Sequence, residues 1–236
     1  MLEISDLHTY YGRSHILQGV DLRVEKGEIV CLLGRNGVGK STTLKSIMSL
    51  TPPRKGRILF RGVDLRRMKA HQIPRLGISY VPEDRRIFPE LTVHENLLMG
   101  AKSAGKISSA KIRINLDLIY GYFPSLLEKE KNLGRSLSGG QQQMLSVARG
   151  LMSNPKLMLL DEPCEGLAPI VVKELMRIVT RLCREEGLTL LLVEQNARMA
   201  ISVSTRGYVL EKGVVKCQGD RRFLSESPEV RERCGL

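Results

Sequence analysis

The chain has 236 residues, 42% of them hydrophobic, enough to bury the core of one large domain, and no apolar run nears the roughly 20 residues of a membrane-spanning helix. Residues 1–6 carry neither the basic nor the apolar part of a secretory signal, and five scattered cysteines form no C-x-x-C pair, so a cytoplasmic protein with free thiols is expected. With 37 Lys and Arg against 25 Asp and Glu the net charge is +12, which favours anionic surfaces, lipid or nucleic acid, although 4% aromatics and no Trp supply few platforms for stacking bases.

Apolar and polar residues nearly alternate over residues 2–7 and 20–24, which predicts two half-exposed antiparallel strands. Between them Tyr10-Tyr11-Gly12 sets an aromatic before a turn, either to stack on a nucleobase or to pack a strand end. Lys26-Gly27 turns the chain into a buried strand at 28–33, and 42–48 reads as a helix. The stretch joining them, Gly34-Arg35-Asn36-Gly37-Val38-Gly39-Lys40-Ser41-Thr42, fits the pattern G-x-x-x-x-G-K-S/T. A plain glycine-rich turn has the same position in a chain. The pattern, however, has a mechanism: glycines remove the Cβ atoms that hold backbone away from a polyphosphate, so that N–H groups and a helix N-terminus can point at it. Lys40 then reaches the β/γ-phosphates and the Ser41 hydroxyl ligates Mg2+.

Pro52-Pro53-Arg54-Lys55-Gly56 breaks the helical pattern, and strands are predicted at 57–62 and 77–82. The second runs into Glu83-Asp84-Arg85-Arg86, where a carboxylate either touches a metal or its water or is simply solvated. Residues 91–132 contain no convincing strand. Thr92-Val93-His94-Glu95 fits a capping box, 112–122 has helical spacing, and Gly105 with Ser108-Ser109 separates the two, which predicts an inserted helical lobe. Ser138-Gly139-Gly140-Gln141 then leads into a helix with Met144, Leu145, Val147, Ala148, Leu151 and Met152 on one face. Ser138 and Gln141 alone make a capping box, but two glycines in a first turn weaken a helix while baring N–H groups to an anion.

The apolar strand at 156–160 ends in Asp161-Glu162-Pro163. Carboxylates at the carboxyl end of a buried strand stand where open α/β sheets carry their sites. Asp161 suits Mg2+ and Glu162 suits a base that orients and deprotonates water; a capped strand end is the alternative. A helix is predicted from Ala168-Pro169 to Gly187, a buried strand at 188–193 closed by Glu194-Gln195-Asn196, and a hairpin at 208–219 turned at Lys212-Gly213. The basic clusters Arg54-Lys55-Gly56-Arg57, Arg66-Arg67-Met68-Lys69 and Arg221-Arg222 are solvated faces or binding sites.

A phosphate loop followed by Leu137-Ser138-Gly139-Gly140-Gln141, shortly before the strand ending in Asp161-Glu162, resembles the ATP-binding subunit of ABC transporters over essentially the whole chain. That resemblance implies an α/β fold with a RecA-like P-loop NTPase core, an N-terminal antiparallel β subdomain and an inserted helical subdomain. Residues 1–88 and 150–236 would form the catalytic core with the β subdomain, and 89–149 the helical subdomain. It implies ATP and Mg2+ as cofactors, and two subunits packed head to tail, with Ser138 and Gly140 of one meeting the γ-phosphate held by Lys40 of the other. Tyr11 matches the aromatic that stacks on adenine. Glu83 stands where most members carry a glutamine that touches Mg2+ or the attacking water and faces the membrane subunits. Gln195 stands at a switch histidine, and Ala168 where Asp is common.

Val81-Pro82-Glu83, residues 88–97, Gly166-Leu167-Ala168-Pro169 and Leu192-Val193-Glu194-Gln195-Asn196 are similar to the branched-chain amino acid importer group, specifically its LivF-type ATPase. Residues 10–17 and Glu165-Gly166 are also similar to the urea and short-amide importers. The resemblance implies a second ABC ATPase subunit, two transmembrane permease subunits, an external solute-binding protein, no nucleic acid, and a place on the inner face of the cell membrane. A soluble ABC protein acting on nucleic acid, suggested by the charge, and a nucleotide-binding module without hydrolysis, suggested by Gln195, are the competing readings.

Overall fold

The computed structural model describes residues 1–103, 105 and 108–235. In chain order these form β1 (Leu2–Tyr11), β2 (Ser14–Val24), β3 (Ile29–Leu33), α1 (Lys40–Ile47), β4 (Lys55–Phe60), β5 (Val63–Asp64), β6 (Ile78–Val81), α2 (Val93–Ser103), α3 (Ser109–Tyr122), α4 (Pro124–Leu127) and α5 (Gly139–Leu151). There follow β7 (Leu157–Asp161), α6 (Pro169–Glu185), β8 (Thr189–Glu194), α7 (Ala197–Val203), β9 (Arg206–Glu211), β10 (Val214–Asp220), α8 (Arg221–Glu226) and α9 (Pro228–Cys234).

The strands make two sheets, one of order β2-β1-β4-β5 and one of order β10-β9-β3-β8-β7-β6. The first is antiparallel; the second is parallel from β9 to β6, with β10 antiparallel at its edge. Every residue of β3, β7 and β8 is buried, which is why these strands read as continuous apolar runs rather than alternating ones. Period-2 geometry divides them between two cores. Cys31, Leu33, Met158, Leu160, Leu190 and Leu192 face α2, α5 and α6, whereas Val30, Leu32, Leu157, Leu159, Leu191 and Val193 face the antiparallel sheet and α1. The parallel sheet is thus sealed on both faces, and its carboxyl edge is where polar side chains converge.

The predicted strands and the hairpin at Lys212-Gly213 are present, with different ends. β1 runs four residues beyond its expected limit because a bulge interrupts the alternation: Asp6 takes a positive φ of 48° and the pairing with β2 shifts between Ile4 and Leu7. Tyr11 therefore closes a ladder opposite Ser14. The Thr92–Glu95 capping box forms in both directions ahead of α2. Helices α7, α8 and α9 lack long apolar periodicity and were not expected from the sequence. Helix α5 runs unbroken across residues 149 and 150. Among the described residues no helix is long and apolar enough to cross a membrane, and the five cysteines are free.

Candidate active site

The strand order puts β8 between β3 and β7, so the loop after β3 and the carboxylates ending β7 lie about 10 Å apart across one strand. A long side chain closes that gap. Lys40, 3% exposed, donates from Nζ to the carbonyls of Gly34 (2.8 Å) and Arg35 (3.1 Å) and lies 3.0 Å from Glu162 Oε1. The loop can wrap this closely because Gly34 has a φ of 147° and a Cβ there would meet the Leu210 carbonyl at 2.4 Å. Glu162 is itself in the left-handed region, with a φ of 44°, while its N–H donates to the Val193 carbonyl at 2.9 Å. A non-glycine residue held there costs roughly 1–3 kcal/mol, and such positions cluster at functional sites.

Beside this pair, Ser41 Oγ donates to Asp161 Oδ1 at 2.8 Å and the Tyr80 hydroxyl donates to Asp161 Oδ2, also at 2.8 Å. Tyr80 reaches it because β6 pairs in parallel with β7, Tyr80 opposite Leu159. Burial, with the charge of Asp161, pushes the phenol far above its ordinary range, so it stays a donor. A serine hydroxyl and a carboxylate oxygen side by side are hard oxygen donors, and they suit Mg2+, which takes one or two protein ligands and completes its shell with phosphate oxygens and water. The sequence named Ser41 and Asp161 but not Tyr80, whose role depends on which strand neighbours β7.

The loop opens on a cleft of about 360 Å3 that Asn36, Gly37, Gly39, Lys40, Ser41 and Thr42 line on one side and Glu83, Glu162 and Glu165 on the other, with Tyr11 and Ile16 at the rim. Glu83 is held above the usual carboxylate range, first by a hydrogen bond with Glu165, then by partial burial and the charges of Glu165, Glu162 and Asp161. A further carboxyl ends β8: Glu194 accepts from the Cys164 N–H at 3.1 Å and is pushed up to about 7, chiefly by burial. Glu165 and Glu194 are site residues the sequence reading missed. Glu194 carried the same signal as Asp161, a carboxylate closing a buried strand.

Tyr11 is 47% exposed, with the Thr51 hydroxyl donating to its oxygen at 3.4 Å. Its neighbour Tyr10 takes the packing role on the opposite strand face, stacked on His15 at 4.1 Å under the Arg54 guanidinium at 4.4 Å. Val38 packs on the core between the sheets, and Arg35 lies in a separate hollow with Glu211 and Arg233. Gln195 is exposed in the turn after β8. Ser138 and Gly140 do not line the cleft. Ser138 caps α5, exchanging bonds with Gln141 (3.0 and 3.3 Å), and a Cβ on Gly140 would meet Val171 Cγ1 at 2.8 Å, so close approach of α6 is a second reason for glycine there. The loop bearing Glu83 is tied to the same helix, the Arg85 carbonyl accepting from Ser146 Oγ and the Arg86 carbonyl from Arg149 Nη1, both at 2.6 Å.

Residues 17–165 match the family described as ABC transporter. The chain is 42% identical over 232 residues to the high-affinity branched-chain amino acid transport ATP-binding protein BraG of Pseudomonas aeruginosa, covering 98% of each. It is 34% identical over 222 residues to the lipopolysaccharide export system ATP-binding protein LptB of Escherichia coli K12, covering 94% of this chain and 91% of the other. Among solved structures, a dimeric ATP-binding cassette in a post-hydrolysis state with ADP and Pi is similar at a TM-score of 0.83 and 26% identity, over 94% of this chain and 99% of that one.

Proposed function

This chain belongs to the ABC transporter family and hydrolyses ATP, and we propose that it does so as the motor subunit of an importer for branched-chain amino acids. The observation that carries the reading is the joining of Lys40 to Glu162 and of Ser41 to Asp161 at one sheet edge, in a chain 42% identical to a branched-chain amino acid transport subunit. In this reading Lys40 and the N–H groups of residues 34–42 bind the β- and γ-phosphates, and Tyr11 supports the adenine. Ser41 and Asp161 would hold Mg2+, which when bound supplies positive charge to the phosphate oxygens. Tyr80 keeps the Asp161 carboxylate aimed. Glu162 orients water and accepts its proton as the γ-phosphoryl group is transferred.

The separation of Ser138 and Gly140 from the cleft supports a head-to-tail pairing in which they complete the site of a second ATPase subunit, and the similar cassette that is dimeric supports pairing of two subunits. Residues 89–149 then act as the helical subdomain and 1–88 with 150–236 as the catalytic core. The loop at Glu83, stapled to α5, meets two permease subunits at the inner face of the membrane, an external binding protein delivering the solute. Glu83 and Gln195 take the γ-phosphate-facing places with side chains other than the commoner glutamine and histidine.

A second reading, a motor for lipopolysaccharide export, is favoured by the 34% identity to LptB, and the sequence likeness at residues 10–17 keeps urea or short amides as alternative solutes. Capture of the chain from its native membrane in gentle detergent with MgATP tests these. Two permeases with a second ATPase, whose binding protein takes leucine, support the proposal; a lipid-export partner set, or nucleic acid without permeases, refutes it.

A further inference from the structure

We propose that helices α7, α8 and α9 form a second anion site, separate from the nucleotide cleft, that takes a phosphate-bearing ligand through Arg198, Arg221 and Arg231. Residues Arg198, Arg221 and Arg231 line one cavity of about 620 Å3 with Ser202 and Ser225, floored by the buried Ile201, their carbon stems supplying much of its wall. Arg198 and Ser202, and likewise Arg221 and Ser225, stand four positions apart, so each pair shares one helix face turned to the cavity.

What marks the site is how the acidic residues around it are spent. Of the four arginines on α8 and α9, Arg222 pairs with Glu226 (3.2 Å) and Arg233 with Glu229 (3.1 Å) and Glu211. The two that line the cavity have no carboxylate partner among the described residues. Arg221 is instead fixed by donating from Nε to the Ser204 carbonyl (2.8 Å) and Arg231 by donating from Nη2 to the Ser225 carbonyl (3.3 Å). Asp220 is committed to capping α8 through the Phe223 N–H (2.8 Å), Glu232 lines a different hollow, and α7 carries no carboxylate. Like charges converging on a cavity repel unless an anion sits among them, and guanidinium forks match phosphate oxygens in a way ammonium groups do not. Arg221 thus keeps both Nη groups, and Arg198 its whole fork, for the ligand. Part of the +12 charge then has a local use. A free phosphate compound and a phospholipid headgroup share this chemistry.

The test uses the full chain saturated with the Mg2+ complex of a non-hydrolysable ATP analogue, so that the nucleotide cleft is filled, the γ-phosphate place included. Inorganic phosphate is titrated calorimetrically, and vesicles of phosphatidylcholine with and without phosphatidylglycerol are sedimented with the protein. The variant Arg198→Gln/Arg221→Gln/Arg231→Gln is compared with Arg13→Gln/Arg57→Gln/Arg75→Gln, which removes equal charge elsewhere on the surface. The proposal expects at least about a tenfold loss of affinity in the first variant and little change in the second. Loss in the phosphate arm identifies a soluble ligand, and loss in the vesicle arm alone a lipid headgroup. Equal loss in both variants, or no binding of either probe to the unaltered chain, overturns it. Because Arg221→Gln also removes the bond to Ser204, Arg198→Gln alone is measured in parallel; it must weaken binding in the same arm, and unaltered binding overturns the proposal.

Discussion

The Lys40 ammonium and the Glu162 carboxylate stand 3.0 Å apart with side chains only 3% and 10% exposed. A buried pair of this kind neutralises two charges that would each be expensive alone. Phosphate oxygens entering the loop compete with Glu162 for the same ammonium. Under the function proposed above, binding of ATP would turn Glu162 from an ion-pair partner into a free carboxylate beside the γ-phosphate, where a base is needed.

Glu162→Gln should bind ATP at least as tightly as the unaltered chain, since Lys40 no longer has a carboxylate to leave. Its steady-state phosphate release should fall by about a hundredfold or more, the usual contribution of a positioned base. Fluorescent-nucleotide binding and a phosphate-release assay read the two effects separately; full turnover in the variant removes Glu162 from the base role.

Lys40→Ala should abolish nucleotide binding and also lower the thermal midpoint measured without added nucleotide, because it strands a buried carboxylate. The cost of breaking such a pair is about 3–5 kcal/mol, less whatever water regains access. Lys40→Ala/Glu162→Gln should recover much of that stability and none of the binding. A double variant no more stable than Lys40→Ala would mean the pair contributes little to the fold.

Tyr80→Phe deletes one hydroxyl and leaves Asp161 Oδ2 without the donor at 2.8 Å. The carboxylate should be aimed less well, raising the Mg2+ concentration for half-maximal turnover several-fold, with a stability cost of about 1–3 kcal/mol. Mn2+ binding to the ADP-loaded protein, followed by electron paramagnetic resonance, should weaken in step. Unchanged metal dependence would confine Tyr80 to packing.

Glu194, raised to about 7 by burial, gives a pH signature. Its folded-state pKa exceeds the unfolded value, so the folded chain holds a proton the unfolded chain has lost. Stability from that proton is full at low pH and is lost as pH rises from the ordinary carboxylate range through about 7, a change on the order of 3 kcal/mol. Glu194→Gln should flatten this decline in a series of thermal melts and be the more stable chain above pH 7. Parallel curves for the two proteins would contradict the assignment.

The sequence made legible whatever is local in it. The phosphate loop is nine consecutive residues, and Asp161 with Glu162 closes a strand whose apolar run has no polar interruption. Contacts set by strand order were not legible: Tyr80 meets Asp161 only because β6 is the neighbour of β7. Glu194, by contrast, ends a buried apolar strand as Asp161 does, a signal that is local in the sequence. The β1 bulge hid the last four residues of that strand, since a positive φ at Asp6 resets the alternation on which a strand is recognised. Helices α7 to α9 are six or seven residues each, too short for a helical period to repeat. Ser138 was legible as a motif and as a helix cap at once, and a single chain contains the geometry of the cap alone.

The most direct measurement of the central claim is ATP-driven solute uptake by proteoliposomes holding the complex purified with this chain, with its binding protein outside and MgATP inside. Labelled leucine should be taken up, uptake should stop when the chain carries Glu162→Gln, and urea and acetamide should be left behind. Leucine uptake unaffected by that substitution, or a complex that hydrolyses ATP and moves none of these solutes, would contradict that claim.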